Sequence, residues 1–225
     1  MNKYIKVCSI IVLMIFSFYY TEKVAIYVQN NTPLKKKIIK YKKVNKVDYV
    51  NAQVDGEYII PGINGLEVNV DKSYNKMKSY NVFSENYIIY DQVKPQISLS
   101  SFKNKIIHRG NIQRNAVSIL INDNQEYVRY FKTNKISYNF IDNSNYCIKV
   151  EKDMCLSTNK QVVEPTLILN NQNFLRSVNS ISKGYIIYLD DNINITYIRA
   201  LINNIKYNNL NIYKLSRHLS ENYQL

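Results

Sequence analysis

The spacing of apolar and polar positions changes character near Gly110. From Val117 onward, short apolar runs alternate with amphipathic stretches. VSILI (117–121) is followed by a helical stretch through Glu126–Lys132, then by SYNFID (137–142), TLILN (166–170) and YIIYL (185–189). TYIRALINNIKY sets Ile198, Leu201, Ile202 and Ile205 at i, i+3, i+4 and i+7, the repeat of an amphipathic helix. NIYKL (211–215) and a last helix through Glu221 follow. Apolar strands separated by helices predict an α/β fold with a largely parallel sheet covered on both faces.

Before Gly110 the pattern is that of a small β-rich module, residues 23–109. VAIYVQ (24–29) alternates like a strand, and KKIIKYKKV reads as a second strand after the Asn-Asn-Thr-Pro turn at 30–33. DGEYIIPGINGLEVNV (55–70) holds two turn formers, Pro-Gly and Asn-Gly, between apolar pieces. Asp71 is a candidate cap for a short helix, DKSYNKMKSY. ENYIIYD and KPQISLSSF read as extended. Ahead of this module, MNKYIK leads into VCSIIVLMIFSFYY, 14 residues without a charge. As a helix that run covers about 21 Å, short of a hydrocarbon core of roughly 30 Å. Snorkelling by Lys3 and Lys6 and interfacial seating of Tyr19 and Tyr20 extend its reach. Residues 1–22 therefore read as a hydrophobic helix acting as a signal anchor, with the body of a single-pass cell-membrane protein extracellular. The alternative is a signal peptide, the protein being secreted if it is cleaved.

Charge sharpens the division. Residues 1–114 carry 18 Lys/Arg against 8 Asp/Glu, whereas residues 115–225 carry 12 against 9. Leu34–Lys46 alone holds seven lysines and no acid. Such a run suits phosphate-rich partners: nucleic acid, anionic lipid or anionic wall polymers. It lacks the interleaved aromatics and the fold signature of a nucleic-acid reader, so no nucleic-acid partner is expected. A Lys-lined strand edge is the plainer reading. Asn, Lys and Ile are also what AT-rich codons supply, which dilutes the meaning of the net charge of +13. Outside the cytoplasm, Cys147 and Cys155 can oxidise, closing a short loop for about 2–3 kcal/mol. Two ordinary buried thiols are the alternative.

In parallel sheets, chemistry gathers at the carboxyl ends of strands, here Asn122, Asp142, Asn170 and Asp190. Turns need polar residues there too. The run Val117-Ser118-Ile119-Leu120-Ile121-Asn122-Asp123-Asn124 resembles the first strand of the polysaccharide deacetylase (NodB-homology) family, V-A-L-T-F-D-D-G. Ser137–Ile141 is similar to its next strand. Gly184–Asp191 is similar to its late G-x-I-I-L-L-H-D, and Asn209–Leu215 to the strand after that. PGINGLEVNVDKSYNKMK is similar to a stretch of membrane-anchored members. The resemblance covers roughly residues 110–222 and implies an incomplete NodB-like (β/α) barrel with mostly parallel strands over 110–225.

The family's chemistry, as the resemblance implies it, needs a first Asp as general base and a second Asp with two His of an H-x-x-x-H motif on a metal. A late His serves as general acid. Here the base position is Asn122, the acid position is Asp190, and the retained metal position is Asp123, a vestigial ligand or a helix cap. No H-x-x-x-H occurs, and the two histidines are His108 and His218. These substitutions predict a cell-envelope pseudoenzyme with no cofactor, contacting cell-wall polysaccharide. One alternative is a working N-deacetylase whose Asp123, Asp190 and Asp191 hold a divalent metal of the Mg, Mn or Ca class. Another is a non-enzymatic envelope protein whose basic first half binds anionic polymers.

Overall fold

A computed structural model describes residues 3–142, 147–150, 154–155 and 161–223. The helices are α1 (Lys3–Asn30), α2 (Pro33–Val44), α3 (Val70–Met77), α4 (Gln125–Thr133), α5 (Phe174–Ser177), α6 (Ile195–Tyr207) and α7 (Leu215–Leu219). The first strands are β1 (Gln53–Asp55), β2 (Tyr58–Ile60), β3 (Gly65–Val68), β4 (Tyr90–Val93), β5 (Ile106–Ile107) and β6 (Ala116–Ile121). They are followed by β7 (Asn139–Asp142), β8 (Cys147–Val150), β9 (Met154–Cys155), β10 (Leu167–Leu169), β11 (Ile186–Leu189) and β12 (Asn211–Ile212). The chain forms two compact units, Met1–Val47 with Leu66–Asp91, and Asp48–Gly65 with Gln92–Leu225. Residues 23–109 are thus shared between the two.

The first unit is largely helical, which corrects two expected strands. VAIYVQ continues α1, because no Gly or Pro interrupts the apolar run and its β-branched residues cost a helix little. Among the described residues, one helix is long and apolar enough to cross a membrane, over Val7–Val28. KKIIKYKKV lies in α2. Thr32 accepts a hydrogen bond from the Lys35 amide and Pro33 occupies the first turn, where its missing N–H is harmless. The segment carries a helical repeat: Leu34 and Ile38 are buried and Tyr41 packs beside them, against Val68 and Met77. The expected cap Asp71 is also corrected. Asn69 caps α3 by accepting from the Lys72 amide at 2.8 Å, and Asp71 instead binds Lys35 at 2.7 Å.

The second unit carries the α/β layer. Among the described residues its main sheet runs β10-β11-β6-β7-β8-β9, with β12 also on β6. The β10–β11, β11–β6, β6–β7 and β6–β12 pairs are parallel, and β7–β8–β9 turn antiparallel. All six residues of β6 are buried, the mark of a strand covered on both faces. Val117, Ile119 and Ile121 enter a core with Tyr127 and Phe131 of α4 and Ile198, Leu201, Ile202 and Ile205 of α6. Leu120 faces the opposite way, into a core with Ile59, Ile107, Ile186, Leu215 and Leu219. One edge of β6 pairs with β11; the other is divided between β12 at 116–117 and β7 at 120–121. Cys147 and Cys155 stand on β8 and β9, which pair antiparallel. Their side chains lie outside the described residues.

Candidate functional site

β6 ends at Ile121 and α4 begins at Gln125, leaving Asn122, Asp123 and Asn124 to make the turn. The neighbouring parallel strand β11 ends at Leu189, so Asp190 and Asp191 emerge beside them. The two ends are fastened together by hydrogen bonds. The Asn122 amide nitrogen donates to the Tyr188 hydroxyl at 2.9 Å and to Asp191 Oδ2 at 2.7 Å. That contact with a carboxylate fixes the orientation, because a flipped amide would set oxygen against oxygen. Asn124 caps α4, accepting from the Glu126 and Tyr127 amides, and donates to the Asp191 carbonyl at 3.1 Å. Tyr127, buried under the turn, sends its hydroxyl to the carbonyls of Asp190, Asp191 and Ile193 at 3.1, 2.9 and 2.7 Å.

The electrostatics keep these phenols protonated. Burial, then the charges of Asp191 and Glu126, pushes Tyr127 up to about 12. Tyr188 is raised by burial and then by Asp191 and Asp190, against the lowering effect of its bond from Asn122. Tyr138 is raised by burial and by Asp123. At the position of the expected base no group can take a proton from water: Asn122 has no basic lone pair, and its Oδ1 is buried without a hydrogen-bond partner.

The structure brings Asn122 and Asp190 to one end of the sheet and sets Asp123 beside them, exposed and accepting from Gln125 Nε2 at 2.8 Å. Asp123 does not cap α4; Asn124 does. Asn170 is a turn residue, its Oδ1 accepting from the Gln172 and Asn173 amides at 3.0 Å. The side chain of Asp142 lies outside the described residues. Both histidines are placed elsewhere. His218, on α7, is fully buried with Nδ1 2.8 Å from Ser118 Oγ, and a Cβ at Gly110 would land on its ring. His108 packs edge-on against Tyr58, ring centroids 4.7 Å apart. Among the described residues no three His, Cys, Asp or Glu side chains gather closely enough to hold a metal. The donor set of the described residues therefore does not fit a catalytic divalent ion. Asp123, Asp190 and Asp191 do not converge, and no imidazole joins them.

Sequence reasoning missed Tyr127, Tyr188 and Asn124. Asn124 was findable as the polar residue directly before the periodic run QEYVRYF. Tyr188 was findable as the hydroxyl on the same strand face as Ile186.

Comparison with solved structures decides the fold. A crystal structure of BA3943, a CE4 family pseudoenzyme from Bacillus anthracis, matches with a TM-score of 0.51 and 16% identity over 86% of this chain and 97% of that one. A mutant of BA3943 described as having restored enzymatic activity matches with a TM-score of 0.53 and 15% identity, over 85% and 99%. The fold is that of the CE4 pseudoenzymes. The β6–β11 end holds Asn122 and Asp190, the residues to which the sequence resemblance assigned the substituted base and acid. A curated relative, the uncharacterized protein YlxY of Bacillus subtilis strain 168, is 38% identical over 91 residues, 40% of this chain. The match spans 28% of that protein's length. No family model matches the chain.

Proposed function

We propose that this chain is a polysaccharide deacetylase-like protein without deacetylase activity, held at the cell membrane by α1 and contacting cell-wall glycan with the α/β unit outside the cell. The observation that carries the reading is the hydrogen-bonded closure of the β6–β11 end. An amide stands where the resemblance requires a carboxylate base, and it spends both protons on Tyr188 and Asp191. Metal-assisted deacetylation needs a water brought towards a pKa of about 7 and a base to receive its proton. Likeness in fold to CE4 pseudoenzymes supports the same reading. Exposed Asp123, Gln125, Asp191 and Asn192 at this end are suited to sugar hydroxyls, and the apolar span Val7–Val28 supports anchorage.

The test uses the full chain in mild detergent, with acetylated chitooligosaccharides, zinc or cobalt, and purified peptidoglycan. The expected result is no acetate release, no stoichiometric metal, and co-sedimentation with peptidoglycan at moderate salt. Acetate release with a metal bound one-to-one overturns the inactive assignment. Failure to sediment overturns glycan contact.

One observation favours a second reading of orientation. The seven lysines of Leu34–Lys46 lie directly after α1, the density that the positive-inside bias associates with the cytoplasmic side. In that arrangement the α/β unit meets no wall glycan.

A further inference from the structure

Helix α2 divides its lysines into two sets. On its inner flank Lys35, buried, binds Asp71 at 2.7 Å, and Lys42 binds Glu67 at 3.0 Å. On the outer side Lys36, Lys37, Lys40 and Lys43 are exposed, and among the described residues none has an ion-pair partner. Ile39 and Val44 share that outer side, 36% and 78% exposed. At about 100° per residue these six positions cover an arc of roughly 160°, leaving the opposite face for Leu34, Ile38 and Tyr41. The result is a basic face bordered by aliphatic residues, while Asp71, Glu67 and Asp91 pair with Lys35, Lys42 and Lys72. Beside it lies a groove of about 430 Å³ that brings Lys37 and Lys40 together with Tyr41, Val44 and Phe83, and with one acid, Glu85.

We propose that this face of α2 and its groove dock onto the anionic phospholipid headgroups of a bilayer. The proposal rests on the reading that α1 enters that bilayer. Only Asn31 and Thr32 separate α1 from α2, and two residues span at most about 7 Å. Lys36 and Lys37 are thereby held within about a Debye length of the headgroups if α1 spans the membrane, and Lys40 and Lys43 join them when α2 lies along the surface. The chemistry is complementary: ammonium groups meet the phosphodiesters, while Ile39, Val44 and Phe83 enter the apolar boundary beneath them. Each lysine so placed strengthens attachment to an anionic leaflet roughly fivefold. Poly(glycerol phosphate) wall polymers present the same phosphodiester, but they are not tethered to the helix by α1.

The chain has no tryptophan, so Val44→Trp introduces a single indole at a position with room for it. The full-length variant is reconstituted into vesicles of phosphatidylcholine, with or without one part in three of phosphatidylglycerol, and with brominated acyl chains. We expect several-fold stronger indole quenching when phosphatidylglycerol is present. Adding Lys36→Gln, Lys40→Gln and Lys43→Gln should abolish that difference while the chain stays in the vesicles through an alkaline carbonate wash. A chain retained through the wash but quenched equally in both lipids overturns docking and leaves the anchor standing. Release by the wash overturns the anchor and docking together. If soluble poly(glycerol phosphate), at equal phosphate, removes the phosphatidylglycerol-dependent quenching, the face serves the polymer and the bilayer assignment falls.

Discussion

His218 offers the sharpest test of why no imidazole serves the β6–β11 end. Its ring is completely buried, with Nδ1 2.8 Å from Ser118 Oγ and Nε2 without a partner. Ser118 has one proton and donates it to the Tyr213 carbonyl at 2.9 Å, so the imidazole donates from Nδ1 and stays neutral. Burial, then repulsion from Arg114, pushes its pKa from 6.5 down to about 4. In the unfolded chain the ring titrates near 6.5. Between these two values the unfolded chain binds a proton that the folded chain refuses. Stability from this group is therefore complete above about pH 6.5, falls as pH drops towards 4, and levels off below. The gap is worth about 3 kcal/mol. The assay is urea unfolding of the full chain in mild detergent, followed by circular dichroism and tyrosine emission, at about pH 7.5 and about pH 4. His218→Gln has no titration in this range, so carboxylates that protonate in the same window cancel on subtraction. The wild type should lose about 3 kcal/mol more than the variant between the two pH values. Equal losses would refute the buried neutral imidazole and return His218 to the pool of available ligands.

Asn122→Asp, which restores the carboxylate that the resemblance calls for, should yield no acetate release. The new charge faces Asp191 in place of a 2.7 Å hydrogen bond, so urea unfolding should register a loss of about 1–3 kcal/mol at neutral pH that shrinks on acidification. Tyr127→Phe removes the hydroxyl that reaches three carbonyls at the end of β11 and should cost about 1–1.5 kcal/mol by the same measurement. Gly110→Ala would drive a methyl into the His218 ring and should destabilise by about 1–3 kcal/mol, relieved when combined with His218→Ala. Protease added outside intact cells should degrade the α/β unit if the body is exported; full protection would establish the opposite orientation.

The parallel α/β layer was legible in the chain because its signal is local. VSILI, TLILN and YIIYL are continuous apolar runs, and TYIRALINNIKY repeats at the helical period, so burial on both faces of a sheet is written into neighbouring residues. The missing base and missing H-x-x-x-H were legible for the same reason, being statements about residue types. Other features were decided by contacts across long stretches of chain. KKIIKYKKV reads as a strand after the Asn-Asn-Thr-Pro turn, and it is a helix because Thr32 and Pro33 start one and Val68 and Met77 receive its apolar side. Likewise Asn122 could have been a solvated turn residue. What closes the β6–β11 end is Tyr188 and Asp191, more than sixty positions away, brought within hydrogen-bond reach only when β11 pairs with β6. A side chain's chemistry belongs to the sequence, but its protonation and its partners depend on which distant groups folding places within a few ångströms of it.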